Sequence, residues 1–374
     1  MKVVVLTKSF SSRGGGIPCA ILPLYELIEA RGVEIVFVAS DAPDNAPWAR
    51  LGLYRTQGPK SFGFSRDLLK ILDRECPDLV HLHGLWTYGS IATQLWKRNT
   101  GKPVVVSTHG MVDQWALRQS ALKKWIAGVA YEWVNLRRAS YIHALTEGEV
   151  RALNSLGFHD HIVRIPNGVE LTKTINWSKS SERMLLYLGR LHPKKGIVAT
   201  LVAWSLFQKQ LPSGSARWRL IIAGWDDGGH LDQLYEVVKD YDLGPYVKFV
   251  GPAFGATKAA LYEDADATIL ASHSEGLPMT VLETWASGKP VFMTEQCNLA
   301  EGFKAGAAFR ITTDPRNIAE MLARVLPDRA ALENAGMAAR ALAESSFSRE
   351  KIAETWLRLY SSLVGPSGRL FSLS

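Results

Sequence analysis

The sequence predicts an α/β chain of two doubly wound domains, and three observations carry that prediction. Apolar runs of about four to seven residues, rich in β-branched side chains, alternate with helical stretches. The runs lack the alternation of a half-exposed strand, so they read as strands buried on both faces, as in a parallel sheet covered by helices. The series then occurs twice in 374 residues, around a turn-rich segment near 166–183, and at roughly 150 residues per domain the length allows for two.

In chain order, Lys2-Leu6 is the first strand, followed by a glycine loop, Gly14-Gly15-Gly16, and a helix from about Cys19 to Ala30. Gly32 ends that helix and Val33-Ala39 is the second strand, with later strands at Leu79-Leu82, Val104-Ser107, Tyr141-Ala144 and His161-Ile165. Two helices between Asp67 and Lys97 and one long helix from Trp115 to Arg138 supply the covering layers. After Pro166-Asn167-Gly168 the second series runs Met184-Leu188 (strand), Ile197-Lys209 (helix), Trp218-Ala223 (strand), His230-Lys239 (helix) and Val247-Val250 (strand). Thr257-Glu263 (helix), Ala267-Ala271 (strand), Val281-Ala286 (helix) and Val291-Thr294 (strand) complete it. From Ala330 to Leu363 the chain reads helical, with a break at Ser345-Ser346 and Ser348 as N-cap. Two such domains facing each other make a cleft, and open α/β sheets bind ligands at the carboxyl ends of their strands.

Composition excludes several classes. Apolar residues at 47% and charged residues at 21% are those of a globular chain, not a disordered one. Cys19, Cys76 and Cys297 include no C-x-x-C pair, which argues against a disulfide framework or a structural zinc site and for a reducing compartment. The amino-terminal run turns polar at Thr7-Lys8, too early for a signal peptide, and the longest apolar stretch, Gly196 to Phe207, falls short of the about 18 residues of a membrane span. The expected location is the cytoplasm. Residues 1–178 hold 21 Lys and Arg against 15 Asp and Glu, whereas the remainder is nearly neutral. A basic first half suits an anionic partner, or is simply a lysine-rich solvated surface. No nucleic-acid-binding motif accompanies the basic charge.

Four constellations stand at carboxyl ends of strands. Gly189-Arg190-Leu191-His192-Pro193-Lys194-Lys195-Gly196 sets Arg190 and Lys195 five residues apart before a helix start, an anion site suited to a diphosphate, although not a P-loop. An ordinary βα loop with solvated cations has the same pattern. His273-Ser274-Glu275-Gly276-Leu277-Pro278-Met279-Thr280-Val281-Leu282-Glu283 spaces two glutamates as E-x7-E. Glu275 is expected in the loop at the cleft mouth and Glu283 one to two turns deeper, to accept hydrogen bonds from a sugar and a ribose diol; taken singly, each also reads as a surface or capping charge. Gly14-Gly15-Gly16 lets backbone approach a ligand closely, or is a flexible turn. His109-Gly110 follows the Val104-Ser107 strand, where a lone histidine is also compatible with a structural role. Of His81 and His83, one is expected to face the core, which argues against a metal pair. Asp226-Asp227 and Asp264-x-Asp266 do not form a metal motif, and no divalent ion is called for.

Together these pieces resemble the GT-B retaining glycosyltransferases of family 4, the group 1 transferases, over about residues 1 to 363. The resemblance rests on the glycine loop, Thr108-His109-Gly110, Ile165-Pro166-Asn167-Gly168-Val169, Gly189-Arg190 with Lys195-Gly196, Phe249-Val250-Gly251 and the E-x7-E string. His81-Leu82-His83-Gly84-Leu85-Trp86, His109-Gly110-Met111 followed by Gln114-Trp115-Ala116-Leu117, and Gln296-Cys297-Asn298-Leu299-Ala300-Glu301-Gly302 resemble the bacterial exopolysaccharide branch. Glu170 and Ala300 depart from it, where Asp and Pro are commoner.

The resemblance implies two Rossmann-like domains, 1–170 for the acceptor and 184–345 for the nucleotide sugar, a linker at 171–183, and a helix and tail at 346–374, with C-terminal helices crossing back to the first domain. It implies a nucleotide-diphosphate sugar as donor substrate, with no cofactor. Arg190 and Lys195 neutralise the leaving diphosphate, Glu283 binds the ribose, and Glu275 with the segment Leu277-Pro278-Met279, through the N–H groups of Leu277 and Met279, holds the sugar. His109 contacts that sugar, and Gly15, Gly16 and Gly189 approach the phosphates. Retention proceeds by same-face attack, the leaving phosphate taking the acceptor proton. The acceptor is a saccharide, in the lipid-linked case anchored in a membrane. The 115–138 helix places Leu122, Trp125, Val129, Trp133 and Leu136 at helical spacing, flanked by Arg118, Lys123, Lys124, Arg137 and Arg138. It reads as an amphipathic element for an anionic inner membrane surface, or as a helix packed on its own sheet. A nucleotide-sugar epimerase and a non-catalytic nucleotide-sugar-binding protein are the alternatives.

Overall fold

Val3, Val4, Val5 and Leu6 are consecutive and all fully buried, which requires helices on both faces of their sheet. The computed structural model describes residues 1–11, 16–41, 51–59, 61–172, 177, 182–212 and 216–365, except the side chains of residues 114 and 115. It divides into two units, Met1–Gly168 with Arg349–Ser374, and Val169–Ser348.

The first unit holds β1 (Lys2–Thr7), β2 (Glu34–Ala39), β3 (Leu51–Leu53), β4 (Leu79–His83), β5 (Val104–Ser107), β6 (Tyr141–Ala144) and β7 (Ile162–Arg164). All pair in parallel, in the order β3-β2-β1-β4-β5-β6-β7. The order reverses between β1 and β4, so the loops leaving these two strands diverge to opposite faces and open a crevice at their carboxyl ends. Helix Gly16–Glu29 follows β1, and the last helix, Arg349–Val364, packs against it and against β4.

The second unit repeats the plan with β8 (Glu182–Leu188), β9 (Arg217–Ala223), β10 (Val247–Gly251), β11 (Ala267–Leu270), β12 (Val291–Met293) and β13 (Ala308–Arg310). The parallel order is β10-β9-β8-β11-β12-β13, with its reversal between β8 and β11. Helix Ile197–Gln210 buries Ile197, Leu201 and Trp204, spaced four and three residues apart on one stripe. The edge strands β3 and β13 escape sequence reading because each has only three residues and none of the three is buried.

The long helix expected over 115–138 is broken. Gln114–Arg118 is followed by Ser120 in a left-handed conformation, and Ala121–Ala127 runs through a π turn, Gly128–Glu132, into Trp133–Arg138. The π turn inserts an extra residue and so rotates the face that Trp133–Arg138 presents. Leu122, Trp125 and Val129 therefore stay 60–71% exposed, while Leu136 is buried and Trp133 packs on Trp86 and Phe158. The turn also carries Glu132 inward, where its carboxylate accepts from Trp86 N (2.6 Å), Ser90 Oγ (2.9 Å) and Asn135 Nδ2 (2.9 Å).

Glu132→Ala strands these three buried donors, so it is expected to lower the unfolding free energy by about 3 kcal/mol, whereas Glu29→Ala on an exposed helix end changes it by no more than about 0.5 kcal/mol. Denaturant titration of the two variants measures the contrast; equal midpoints overturn it.

Candidate active site

The reversal between β8 and β11 brings together two segments 80 residues apart in sequence. Gly196 makes the approach possible: its φ is +68°, and a Cβ there would lie 2.1 Å from the Ala271 carbonyl oxygen, so any side chain forces the loops apart. His273 N donates to the Lys194 carbonyl across the same junction (2.8 Å). Lys195, ending the single turn Pro193–Lys195, then reaches Glu275, with Nζ 2.5 Å from Oε1. Ser272 Oγ donates to that oxygen at 2.6 Å. The Glu275 backbone is clamped as well, its N–H donating to Gln296 O (3.0 Å) and its carbonyl accepting from Asn298 Nδ2 (2.6 Å).

This corrects the placement of the two glutamates. Glu275 is 7% exposed and faces Lys195, not a solvent-filled mouth, because its loop folds over the end of β8. Glu283 is the more open of the two. It lies on helix Met279–Ala286 and accepts from Lys258 Nζ (2.7 Å) and Tyr262 OH (2.8 Å), both on helix Gly255–Asp264. Burial and the Glu283 charge push the Tyr262 phenol well above its usual range, so it remains a donor. Likewise the Cys297 thiol beneath Glu275 is pushed up to about 12, by burial first and then by the Glu275 charge, and stays neutral.

Arg190 leaves β8 just before this junction. Its Nη1 bonds Asp227 Oδ2 at 2.7 Å, with both side chains about 40% exposed. Tyr187 OH props the Arg190 carbonyl (2.7 Å), and Gly189 lies where a Cβ would meet that same hydroxyl at 3.2 Å. Pro278 precedes the first turn of helix Met279–Ala286, and buried Leu277 precedes Pro278. The first N–H groups of this helix and of Ile197–Gln210 have no carbonyl within their own helices, so both ends favour an anion. Arg190, Lys195 and two helix starts are thus gathered at the carboxyl ends of β8 and β11. The sequence places each residue in its loop but misses its partners: Ser272, Asn298, Asp227, Lys258 and Tyr262. Only Lys258 and Tyr262 leave a trace, being four residues apart on one helix face.

In the first unit His109 follows β5 with φ +48°, unusual for a residue with a side chain. Glu149, missed by sequence reading, holds that bend. One carboxylate oxygen accepts from Thr108 Oγ1 (2.5 Å) and Gly110 N (2.5 Å), the other from Leu145 N (2.8 Å). His109 Nε2 lies 2.9 Å from His83 Nδ1, and burial pushes its pKa down to about 3, so the ring is neutral. His81 and His83 are both buried and stacked 4.0 Å apart, which corrects the expectation that one alone faces the core. Residues i and i+2 of a strand share a face. Gly16 begins helix Gly16–Glu29 with open space where a Cβ would stand, and Gly14 and Gly15 lie outside the described residues.

The family model of glycosyl transferases group 1 matches residues 170–342, and that of a glycosyl transferase 4-like domain matches residues 15–168. A GDP-mannose:cellobiosyl-diphosphopolyprenol alpha-mannosyltransferase of Xanthomonas oryzae is 26% identical over 311 residues, 77% of each chain. A glycogen synthase of Mycobacterium tuberculosis is 26% identical over 336 residues, 81% of this chain and 78% of its own. Among solved structures, sucrose-phosphate synthase of Thermosynechococcus elongatus superposes with a TM-score of 0.79 at 19% identity, covering 98% of this chain and 99% of its own. Anabaena HepE in complex with UDP-glucose superposes at 0.74 and 18% identity, covering 97% of this chain and 100% of its own. Two doubly wound parallel-sheet units, both family models and these relatives agree: the chain is a GT-B glycosyltransferase and belongs to the group 1 family.

Proposed function

We propose that this glycosyltransferase is a retaining, metal-independent enzyme that moves a hexosyl group from a nucleotide-diphosphate donor to a lipid-linked saccharide in exopolysaccharide or related glycan synthesis. The observation that carries the donor reading is the gathering of Arg190, Lys195 and two helix starts at the β8/β11 reversal. A departing nucleoside diphosphate gains negative charge at the bond that breaks, and preset cations and N–H groups stabilise it there. They do what a divalent ion does elsewhere. The Arg190–Asp227 pair is solvent-exposed, where such pairs contribute about 0–1 kcal/mol, so a diphosphate displaces Asp227 at little cost.

Lys195 has three protons and gives one to Glu275, leaving the others for phosphate oxygens. Glu275 is thereby an orienting group for Lys195, one oxygen already engaged by two donors, and its other oxygen is assigned to a hydroxyl of the donor sugar. Glu283 takes the ribose hydroxyls, held by Lys258 and Tyr262. Leu277, Pro278 and Met279 form the segment against the sugar, Gly189 approaches the phosphates, and His109 contacts a sugar hydroxyl. The acceptor attacks the face the diphosphate leaves, and its proton passes to a departing phosphate oxygen. The Xanthomonas relative, whose name specifies a diphosphopolyprenol-linked acceptor, supports the lipid-linked reading. Bound nucleotide sugar without transfer would favour the non-catalytic alternative, and sugar inversion without acceptor the epimerase.

The acceptor reading includes attachment of the first unit to an anionic inner membrane surface. Leu122, Trp125, Ile126 and Val129 are 53–71% exposed in one short stretch, and Arg118 and Lys123 beside them are exposed too. Apolar side chains inserted among headgroups with cations at their margin are the pattern of an interfacial element. No helix among the described residues is long and apolar enough to cross a membrane.

A nucleoside diphosphate at 100 times its Kd is expected to stabilise the protein by about 2.7 kcal/mol in EDTA, read as a shift in thermal unfolding. Loss of the shift in EDTA overturns the metal-independent reading. Glu283→Gln is expected to weaken nucleoside diphosphate binding by about 1.5–3 kcal/mol. Glu275→Gln is expected to spare that binding, lower turnover, and destabilise the fold by about 3 kcal/mol by leaving Lys195 unpaired. Calorimetry and unfolding of both variants decide, and equal binding losses refute the split. Binding to anionic vesicles is expected to fall steeply with salt, each cation near the surface contributing about 1 kcal/mol, and to be lost in Trp125→Glu with donor binding intact. Sedimentation showing equal binding to neutral and anionic vesicles at low salt rejects the attachment.

A further inference from the structure

The polar interior of the first unit is a continuous chain of side chains, and its ends determine its direction. His143 Nε2 lies 2.7 Å from the Ile165 carbonyl, which only accepts, so Nε2 carries the proton. Burial pushes His143 down to about 4, so the ring is neutral and its Nδ1 is an acceptor. Ser107 Oγ, 2.6 Å from that Nδ1, donates to it and accepts in turn from His81 Nε2, also at 2.6 Å. His81 Nδ1 is therefore bare.

That nitrogen faces two phenols, Tyr25 (2.7 Å) and Tyr360 of the last helix (2.6 Å), which are 3.1 Å from each other. Burial raises both phenols, so each keeps one proton to give. Tyr25 OH also meets His83 Nε2 at 2.8 Å, and His83 Nδ1 meets His109 Nε2 at 2.9 Å. If Tyr25 spends its proton on His83, the links from Tyr25 to His81 and to Tyr360 both go unmade. If instead His83 donates Nε2–H to Tyr25, Tyr25 and Tyr360 divide their protons between His81 and each other, and one more hydrogen bond forms. Buried polar groups favour the fuller set.

We infer that the Tyr25 hydroxyl is a positioning group: by accepting from His83 Nε2 it leaves His83 Nδ1 bare, places the His109 proton on Nε2, and leaves His109 Nδ1 as a hydrogen-bond acceptor. A bare Nδ1 accepts a hydrogen bond from a hydroxyl; the protonated alternative would need a substrate oxygen to accept. The value of this for turnover rests on the proposed contact of His109 with a sugar hydroxyl, but the tautomer itself does not. Tyr360 is the internal control. Without its hydroxyl, Tyr25 still donates to His81 and still accepts from His83, so the direction of the chain is unchanged.

The test is two-bond ¹H–¹⁵N correlation on the full-length protein with ¹⁵N-labelled histidine, His109 being assigned with His109→Gln. In the unmutated protein His109 is expected as the Nε2–H tautomer at neutral pH. Tyr360→Phe is expected to keep it, and Tyr25→Phe to move the Nδ1 resonance toward the protonated position and lower kcat about five- to tenfold with KM little changed. A protonated Nδ1 in the unmutated protein overturns the inference without any variant, even if Tyr25→Phe does not fold. So does an unmoved resonance in Tyr25→Phe, or an equal shift in Tyr360→Phe. A shifted tautomer with unchanged kcat supports the inference and removes His109 from the proposed sugar contact.

Discussion

Lys195 and Glu275 meet where two neighbouring strands of one parallel sheet send their chains to opposite sides. Ion and counterion are largely withdrawn from water, and a buried pair of this kind is favourable only if its geometry is fixed and its remaining valences are filled. The surrounding structure supplies both. Gly196 lets the β8 loop touch the backbone at the end of β11, Ser272 fills the shared carboxylate oxygen, and Asn298 and Gln296 hold the Glu275 backbone from the β12 side. A loop lysine ordinarily contributes little to stability. This one does not fit that expectation, because its loss leaves a carboxylate buried without its cation.

Loops at the other carboxyl ends are pinned by the same means. Glu149 gathers Thr108, Gly110 and Leu145 around one carboxylate, and Glu132 gathers Trp86, Ser90 and Asn135 around another. In both cases burial raises the carboxyl pKa against the hydrogen bonds that lower it. Parallel strands set where a loop begins and ends but not its path, since the ladder hydrogen bonds stop at the last strand residue. A buried carboxylate, with two oxygens and about four acceptor sites, can hold several loop N–H and hydroxyl groups at once.

This division explains what was legible in the sequence. Fully buried strands such as Val104–Ser107 and Ala267–Leu270 write a nearly continuous apolar run, and their helices write a stripe, so the inner strands of both sheets can be read from composition along the chain. Arg190, Lys195, Glu275 and His109 could be found because each sits just past a strand or at a helix start, and Glu283 because of its E-x7-E spacing from Glu275. Their partners could not. Lys195 and Glu275 are 80 residues apart, Tyr25 and Tyr360 are 335 apart, and no local pattern records that sheet order makes them neighbours. The helix at 115–138 failed for a different reason. Its apolar spacing is regular, but a buried Glu132 and the close packing of Gly128 on Trp133 favour an extra residue in the turn, which periodicity does not register.

The polar groups of the two units differ in kind, and the difference bears on what each can bind. In the second unit they are ions, arranged in three pairs: Arg190 with Asp227, Lys195 with Glu275, and Lys258 with Glu283. In the first unit the histidines of β4, of β6 and of the turn after β5 are neutral, since burial holds His81, His83, His109 and His143 below the range in which they would take up protons. Their hydrogen bonds to one another are complete only when no ring carries a second proton, so neutrality and connectivity reinforce each other. On the proposed reading, a diphosphate whose charge grows during reaction is met by ions that can exchange partners. A sugar hydroxyl, which never becomes charged until it reacts, is met by a ring whose donor and acceptor sides are set in advance. A charged histidine there would bind phosphate as readily as sugar; keeping the ring neutral confines the attraction for phosphate to the ions beside β8 and β11.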